Sequence, residues 1–330
     1  LHHDLSTVET DPVIDLIRTQ IPDDAPDWTE NIAWWMHDPA AGIAIYAHLG
    51  RLQSDRTIWE GLSLIFLPDG GMLVNRSLGV SPTAARNGEY DYRPLLPAKL
   101  WRFDFDGVAQ RVDPRALRQR PLGDEPFERA AYALTFEAVQ PVFNMHQSDA
   151  KSERMHLEHG GRIKGMVTIG GARHAIDCTG YRDHSVSRRT FTTLDTETRS
   201  NCVFPSGRVF SILEVSRGEQ HLLEGQVHID GVMQFARPVG VPELTDSAGA
   251  PHEGVISVET ASGRHDIKWQ TIGQRFVPFQ LLRPVGMRPG IDRSDPENMV
   301  AVQCPARFEW DGEVGFGWME RTRPLKALCD

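Results

Sequence analysis

Short apolar runs separated by turn residues fill most of the chain, and helical spacing is almost absent. Residues 42–49, 61–67, 72–75, 132–138, 162–169 and 173–178 are alternating or continuously apolar over the length of a strand. Pro68-Asp69-Gly70-Gly71 joins two such runs and Gly170-Gly171 joins two more, which predicts two hairpins. Residues 208–216, 222–229 and 232–236, separated by Arg217-Gly218-Glu219 and Asp230-Gly231, predict an antiparallel meander. One helix is expected near the start, capped by Thr10 or Asp11 and running from Pro12 through Val13, Ile14, Leu16 and Ile17. The stretches 86–97 and 238–251 carry Pro and Gly and read as long loops.

Repeated short strands over 330 residues exceed one small barrel and predict an all-β chain of two antiparallel barrel domains packed together. The expected division is an extension over 1–27, a first barrel over 28–190 and a second over 191–330. A hydrophobic content of 40% supports large cores. The net charge of −10 argues against nucleic acid and anionic membranes as partners. No run reaches the roughly 18 apolar residues of a membrane span. The first twenty residues are polar and unlike a signal peptide, so a cytoplasmic location is expected, with the start at Leu1-His2-His3 leaving a processed end open. Cys178, Cys202, Cys304 and Cys329 are widely spaced and form no CxxC pair, so reduced, incidental thiols are expected.

Walker A, strand-linked GxGxxG, GxSxG and HExxH patterns are missing, and no cofactor is called for. His146, His156, Glu158 and His159 offer ligand chemistry, but their spacing matches no standard metal site. On a strand His156 and Glu158 share one face and His159 takes the other, which predicts a polar pair and no metal. Trp34, Trp35 and Trp59 are candidates for the wall of an apolar cavity. Strand alternation sends neighbouring Trp34 and Trp35 to opposite faces, so only one of them can line it.

The densest chemistry is Gly180-Tyr181-Arg182-Asp183-His184-Ser185. Gly180 reads as the end of a regular strand and the start of a bend. As continuing strand, Tyr181, Asp183 and Ser185 face one way and Arg182 and His184 the other. Asp183 among aromatics would be desolvated, which favours its neutral form and a proton-donor role, while Arg182 would oppose that by stabilising the carboxylate. The same residues would equally serve as a clasp tying two sheets together.

This segment, with His156-Leu157-Glu158-His159-Gly160-Gly161-Arg162-Ile163-Lys164-Gly165 before it, resembles the lipocalin-like carotenoid 1,2-hydratase (hydroxyneurosporene synthase) and AttH superfamily. It looks closest to bacterial members with an Arg-Asp-His-Ser-Trp-Gly motif, where this chain has Val186-Ser187 in place of Trp-Gly. Gly315-Phe316-Gly317-Trp318-Met319-Glu320 looks like the group's C-terminal Gly-x-Gly-x-x-Glu signature. The resemblance implies two calycin-like barrels and a hydrophobic, isoprenoid-like small-molecule substrate that is hydrated or dehydrated, cyclised or isomerised without a cofactor. It places the motif carboxylate on Asp183 and the motif His on His184. Asp183 is then expected to donate or relay a proton, Tyr181 or His184 to orient it and Arg182 to fix the carboxylate, with His156 and Glu158 positioning water or acting as base. The alternative is a non-catalytic carrier of a hydrophobic ligand in the same cavity.

Overall fold

The computed structural model describes residues 15–18, 27–145, 155–188, 194–240, 253–273, 277–282, 286–294 and 296–328. The first sheet contains β1 (Trp28–Asp38), β2 (Ile43–Arg51), β3 (Ile58–Phe66), β4 (Met72–Val80), β5 (Ala85–Arg86), β6 (Tyr90–Leu96), β7 (Leu100–Val112), β8 (Phe127–Ala138), β9 (Phe143–Asn144), β10 (Met155–Ile169) and β11 (Ala172–Arg188). The second contains β12 (Thr196–Val203), β13 (Val209–Arg217), β14 (Gln220–Ile229), β15 (Val232–Phe235), β16 (Arg237–Gly240), β17 (Glu253–Thr260), β18 (Gly263–Thr271), β19 (Val277–Leu282), β20 (Gly286–Pro289), β21 (Met299–Trp310) and β22 (Glu313–Pro324). All pairings are antiparallel, as the turn chemistry predicts.

The first sheet runs β4-β3-β2-β1-β11-β10-β8-β7-β6-β5 and closes because β4 also pairs with the far end of β7, Met72 opposite Val112. Its lumen is filled by Ile32, Trp34, Met36, Trp101, Phe103, Phe105 and their neighbours. The second sheet runs β15-β14-β13-β12-β22-β21-β18-β17-β16, with β19 on β21 and β20 on β19. Only Ala236 separates β15 from β16, so the two ends of this sheet meet and it curls around its own core. A third cluster, with Ala33, Trp35, Tyr46, Tyr181, Val203, Val209 and Trp318, lies between the barrels. That is why β1 is buried on both faces: its even residues fill the first barrel and its odd ones meet the second. The protein is therefore all-β, with two lipocalin-like barrels packed face to face.

Two expectations change. The stretch 86–97 is not a loop: it contains β6, whose Tyr90 and Tyr92 alternate into the barrel opposite Phe105 and Phe103. Pro94 is accommodated at an irregularity in the register, so the Pro that signalled a loop sits where the ladder already breaks. Gly180 marks no bend either, since β11 continues to Arg188. A Cβ there would lie 2.3 Å from Ile163 Cδ1 and 2.8 Å from the Trp35 carbonyl, so close packing demands the glycine. The expected helix lies outside the described residues apart from Asp15–Ile17, and residues 241–251 of the second expected loop lie outside them as well. Cys178, Cys202 and Cys304 are free and buried, and Cys329 is outside the described residues. Among the described residues no helix is long and apolar enough to cross a membrane.

Candidate active site

Strand period splits the motif. Tyr181 and Asp183 on β11 pair with Trp35 and Ala33 on β1 and share their face toward the second barrel. Arg182 and His184 pair with Trp34 and Ile32 and point into the lumen of the first barrel. On β10, Glu158 stands directly opposite Asp183 and His156 opposite Ser185. Two buried carboxylates side by side repel each other. The second barrel resolves the conflict: Arg199 of β12 donates from Nη1 to Glu158 Oε1 at 2.7 Å and to Asp183 Oδ2 at 3.0 Å. His156 Nε2 adds an ion pair to Asp183 and another to Glu158 at 3.3 Å. Glu158 Oε2 also accepts from the Tyr181 hydroxyl at 3.0 Å and the Ser211 hydroxyl at 2.5 Å, and Gln226 Nε2 donates to the Tyr181 oxygen at 3.0 Å.

Between the barrels lies a cavity of about 150 Å³. Ala33, Trp35, Tyr46, Leu281, Met287 and Ala301 supply its apolar wall. Asp183, Arg199, Glu197, Glu320, Glu60, Asn31, His48 and Gln53 belong to its polar lining. Glu320 belongs to a row across three strands, Arg199 opposite Glu320 opposite Gln303. Gln303 donates its amide to the Glu320 carboxylate and accepts from Trp35 Nε1 at 3.3 Å and Trp318 Nε1 at 2.6 Å. The glycines of the C-terminal signature permit this row, because a Cβ on Gly317 would lie 2.0 Å from the Asn201 carbonyl and keep β22 off β12.

Electrostatically the groups diverge. Burial pushes the Glu320 carboxyl up from 4.5 to about 7, with Arg199 only partly opposing it. Burial alone would lower the His156 imidazole, but the Asp183 and Glu158 carboxylates outweigh it and hold the ring up at about 9. Burial would raise Glu158, yet Arg199 and His156 bring it below its ordinary value. The consequence for stability follows by linkage. Folded Glu320 holds a proton that the unfolded chain releases near 4.5, so stability falls as pH rises from there to about 7. The charged His156 contributes fully below 6.5, and that contribution is lost toward about 9. Unfolding by urea across this range is expected to show falling stability, with Glu320→Gln flattening the limb below pH 7 and His156→Gln the limb above it.

Of the residues expected at the site, Asp183, Tyr181, His156, Glu158 and Trp35 come together. Arg182 does not hold Asp183: it lies on the opposite face and donates from Nη2 to Asp15 Oδ1 at 2.7 Å. His184 bridges Asp15 and Glu30 on that same inner face, at 3.0 Å each, and cannot orient Asp183. Trp34 stacks on Phe103 inside the first barrel, ring centroids 4.5 Å apart, and does not line the cavity. Trp59 likewise stands in the barrel core, its Nε1 donating to the Ser81 carbonyl at 2.9 Å. His159 is buried on the inner face beside Phe136, and His146 lies outside the described residues. Donor atoms of His156, Glu158 and Asp183 lie within 4.8 Å of one another, the spacing of a metal site. The Arg199 guanidinium bonds Glu158 and Asp183 and lies 3.3 Å from His156 Nε2, so the position a cation would take already carries a positive charge. Sequence reasoning missed Arg199, Gln303, Ser211 and Gln226, none of which sits in a motif. Glu320 was visible in the Gly-x-Gly-x-x-Glu signature but had no role.

Comparison with crystal structures supports the architecture. An AttH protein (NE1406) of Nitrosomonas europaea is 8% identical over 89% of this chain and 91% of its own, with a TM-score of 0.53. Kievitone hydratase of Nectria haematococca is 9% identical over 98% and 97%, with a TM-score of 0.52. CghA is 10% identical over 98% and 97%, with a TM-score of 0.58. At such identities the likeness concerns the fold. No curated protein matches the chain by sequence. A family described as a domain of unknown function, DUF7064, matches residues 14–325, spanning both barrels and every residue of the cavity. The chain belongs to the DUF7064 family.

Proposed function

We propose that the protein is a cofactor-independent acid/base enzyme that adds water to, or removes it from, a double bond of an apolar, isoprenoid-like small molecule held between the barrels. One observation carries this: of the four carboxyl groups that line the cavity, Asp183 and Glu320 stand in opposed environments. Asp183 accepts from the cations Arg199 and His156, which favour its ionised form, the form able to receive a proton. Glu320, pushed up to about 7, still carries a proton to give near neutrality. Neighbouring groups driven apart in this way are the usual signature of an acid and its base. The expectation of Asp183 as donor therefore moves to Glu320, and Asp183 becomes the base.

In the hydration direction Glu320 transfers its proton to one alkene carbon. Water adds to the other carbon and loses its proton to Asp183. Proton return from Asp183 to Glu320 resets the site, so one water is consumed and no electrons are exchanged. The Trp35 face beside the cavity favours transient positive charge on carbon. A cavity of about 150 Å³ is below the roughly 300–1,000 Å³ of pockets that enclose drug-sized ligands, which suits the reacting end of a longer molecule. Hydration is a chemistry this fold accommodates, since kievitone hydratase shares it.

The test is incubation with cellular lipid extracts in heavy-oxygen water, read by mass spectrometry. Isotope uptake into a product is the expected result. Unlabelled isomers would replace hydration with cyclisation or isomerisation, retention of an unchanged ligand would make the protein a carrier, and neither turnover nor retention would overturn the proposal.

A further inference from the structure

Half of the central motif takes no part in the cavity. Arg182 and His184, both fully buried, face the lumen of the first barrel, where they meet Asp15, also at 0% exposure. Four donors converge on the Asp15 carboxylate. Oδ1 accepts from Arg182 Nη2 at 2.7 Å and pairs with His184 Nδ1 at 3.0 Å. Oδ2 accepts from Trp101 Nε1 at 2.8 Å and from the Ala98 amide at 2.8 Å. The Arg182 guanidinium also lies 3.9 Å over the Trp101 ring. Ala98 has a φ of 60°, a left-handed backbone that a non-glycine residue adopts at a cost, and its N–H is thereby aimed at the carboxylate.

All four donors belong to the barrel wall or its β6–β7 turn, whereas Asp15 precedes the first strand by more than ten residues. The receptor is thus built without its occupant. It also carries polar atoms that its occupant does not reach. His159, Arg182 and Trp34 are cross-strand neighbours on β10, β11 and β1, all fully buried. Both His159 ring nitrogens, Arg182 Nε and Nη1, and Trp34 Nε1 have no hydrogen-bond partner among the described residues. Buried polar atoms without partners are rare and mark a place where water or a ligand is accepted. Burial holds the His159 ring down at about 3, so it enters this row neutral, with one donor and one acceptor nitrogen.

We propose that the lumen of the first barrel is a second binding site, specific for carboxylates, which the chain fills in cis with Asp15. Arg182, His184, Trp101 and the Ala98 amide form the receptor, and the row His159, Arg182 and Trp34 extends it beyond the reach of Asp15. The 15–18 segment is held as a tethered ligand, with Glu30 accepting from the Arg18 amide at 3.0 Å and Arg51 Nη2 donating to the Arg18 carbonyl at 2.6 Å. The site is separate from the interbarrel cavity and does not depend on the reaction proposed there.

The experiment uses the full chain with Asp15→Ala and a titration of sodium formate against sodium chloride at equal ionic strength. Removing the carboxylate strands Arg182 and leaves His184 only its bond to Glu30, so Tm is expected to fall by roughly 5–15 °C. Millimolar formate should restore most of that loss saturably, chloride should not, and the unmodified protein should respond to neither. Trp101→Phe in the Asp15→Ala background is expected to weaken formate rescue several-fold. Equal rescue by chloride, no rescue by formate, or an unchanged Tm in Asp15→Ala would each overturn the proposal. If Asp15→Ala does not fold alone, refolding in formate but not in chloride is the expected outcome, and failure in both would refute it.

Discussion

Replacing Arg199 with methionine is expected to remove about 3–5 kcal/mol of stability, the usual cost of breaking a buried ion pair from one side. Methionine fills most of the volume, so the loss is electrostatic. Glu158 and Asp183 would be left opposite each other on neighbouring strands, with Glu158 fully buried and Asp183 4% exposed. His156 can compensate one carboxylate but not both, because its single Nε2 serves the two of them. Against the roughly 5–15 kcal/mol that holds a typical folded protein, such a loss is large. The variant Arg199→Met combined with Glu158→Gln and Asp183→Asn should regain much of it, since the uncompensated charges go with the guanidinium. Urea unfolding of the single and triple variants decides this. A single-variant loss below about 1 kcal/mol would mean that the cluster behaves like an exposed surface pair.

The second large effect concerns turnover. Glu320→Gln is expected to lower kcat by about 10²–10⁴-fold, the range of a positioned acid, while KM changes little. Gln keeps the shape and the contact with Gln303 but has no proton to give. Asp183→Asn should lower kcat by a similar factor, because the amide cannot take a proton from water. The pH profile separates the two: the fall in rate near pH 7 should vanish in Glu320→Gln and persist in Asp183→Asn. His184→Asn, on the inner face of β11, should change stability and leave this pH dependence in place. These rates are measurable on the compound that incorporates heavy oxygen. An unchanged kcat in Glu320→Gln would remove Glu320 from the reaction.

Much of this arrangement was open to inspection in the linear chain. The period of two in a strand separates Tyr181 and Asp183 from Arg182 and His184 without any knowledge of the barrels, and the structure places them on opposite faces accordingly. Likewise the pairing of His156 with Glu158 on one face and His159 on the other follows from spacing alone. The sites of Trp34 and Trp59 did not follow, because an aromatic residue on a strand signals burial but not which of two apolar spaces receives it. The stretch around Tyr90 failed for a related reason. Its Pro and Gly residues signal a loop, yet Tyr90 and Tyr92 alternate into the barrel and an irregular register tolerates Pro94.

The amino-acid sequence by itself determined nine of the strands, the four hairpin turns between them at 68–71, 170–171, 217–219 and 230–231, and the face on which each charged residue of the motif emerges, since these depend on neighbours along the chain. The tertiary structure alone decided the partners. Arg199 reaches Asp183 only because β12 of the second barrel packs against the outer face of the first. Asp15 meets Arg182 across 167 residues of chain, and Glu320 joins the cavity through a strand pairing that Gly317 makes possible. Charge compensation inside a fold acts through space, so no local pattern records which distant residue supplies it.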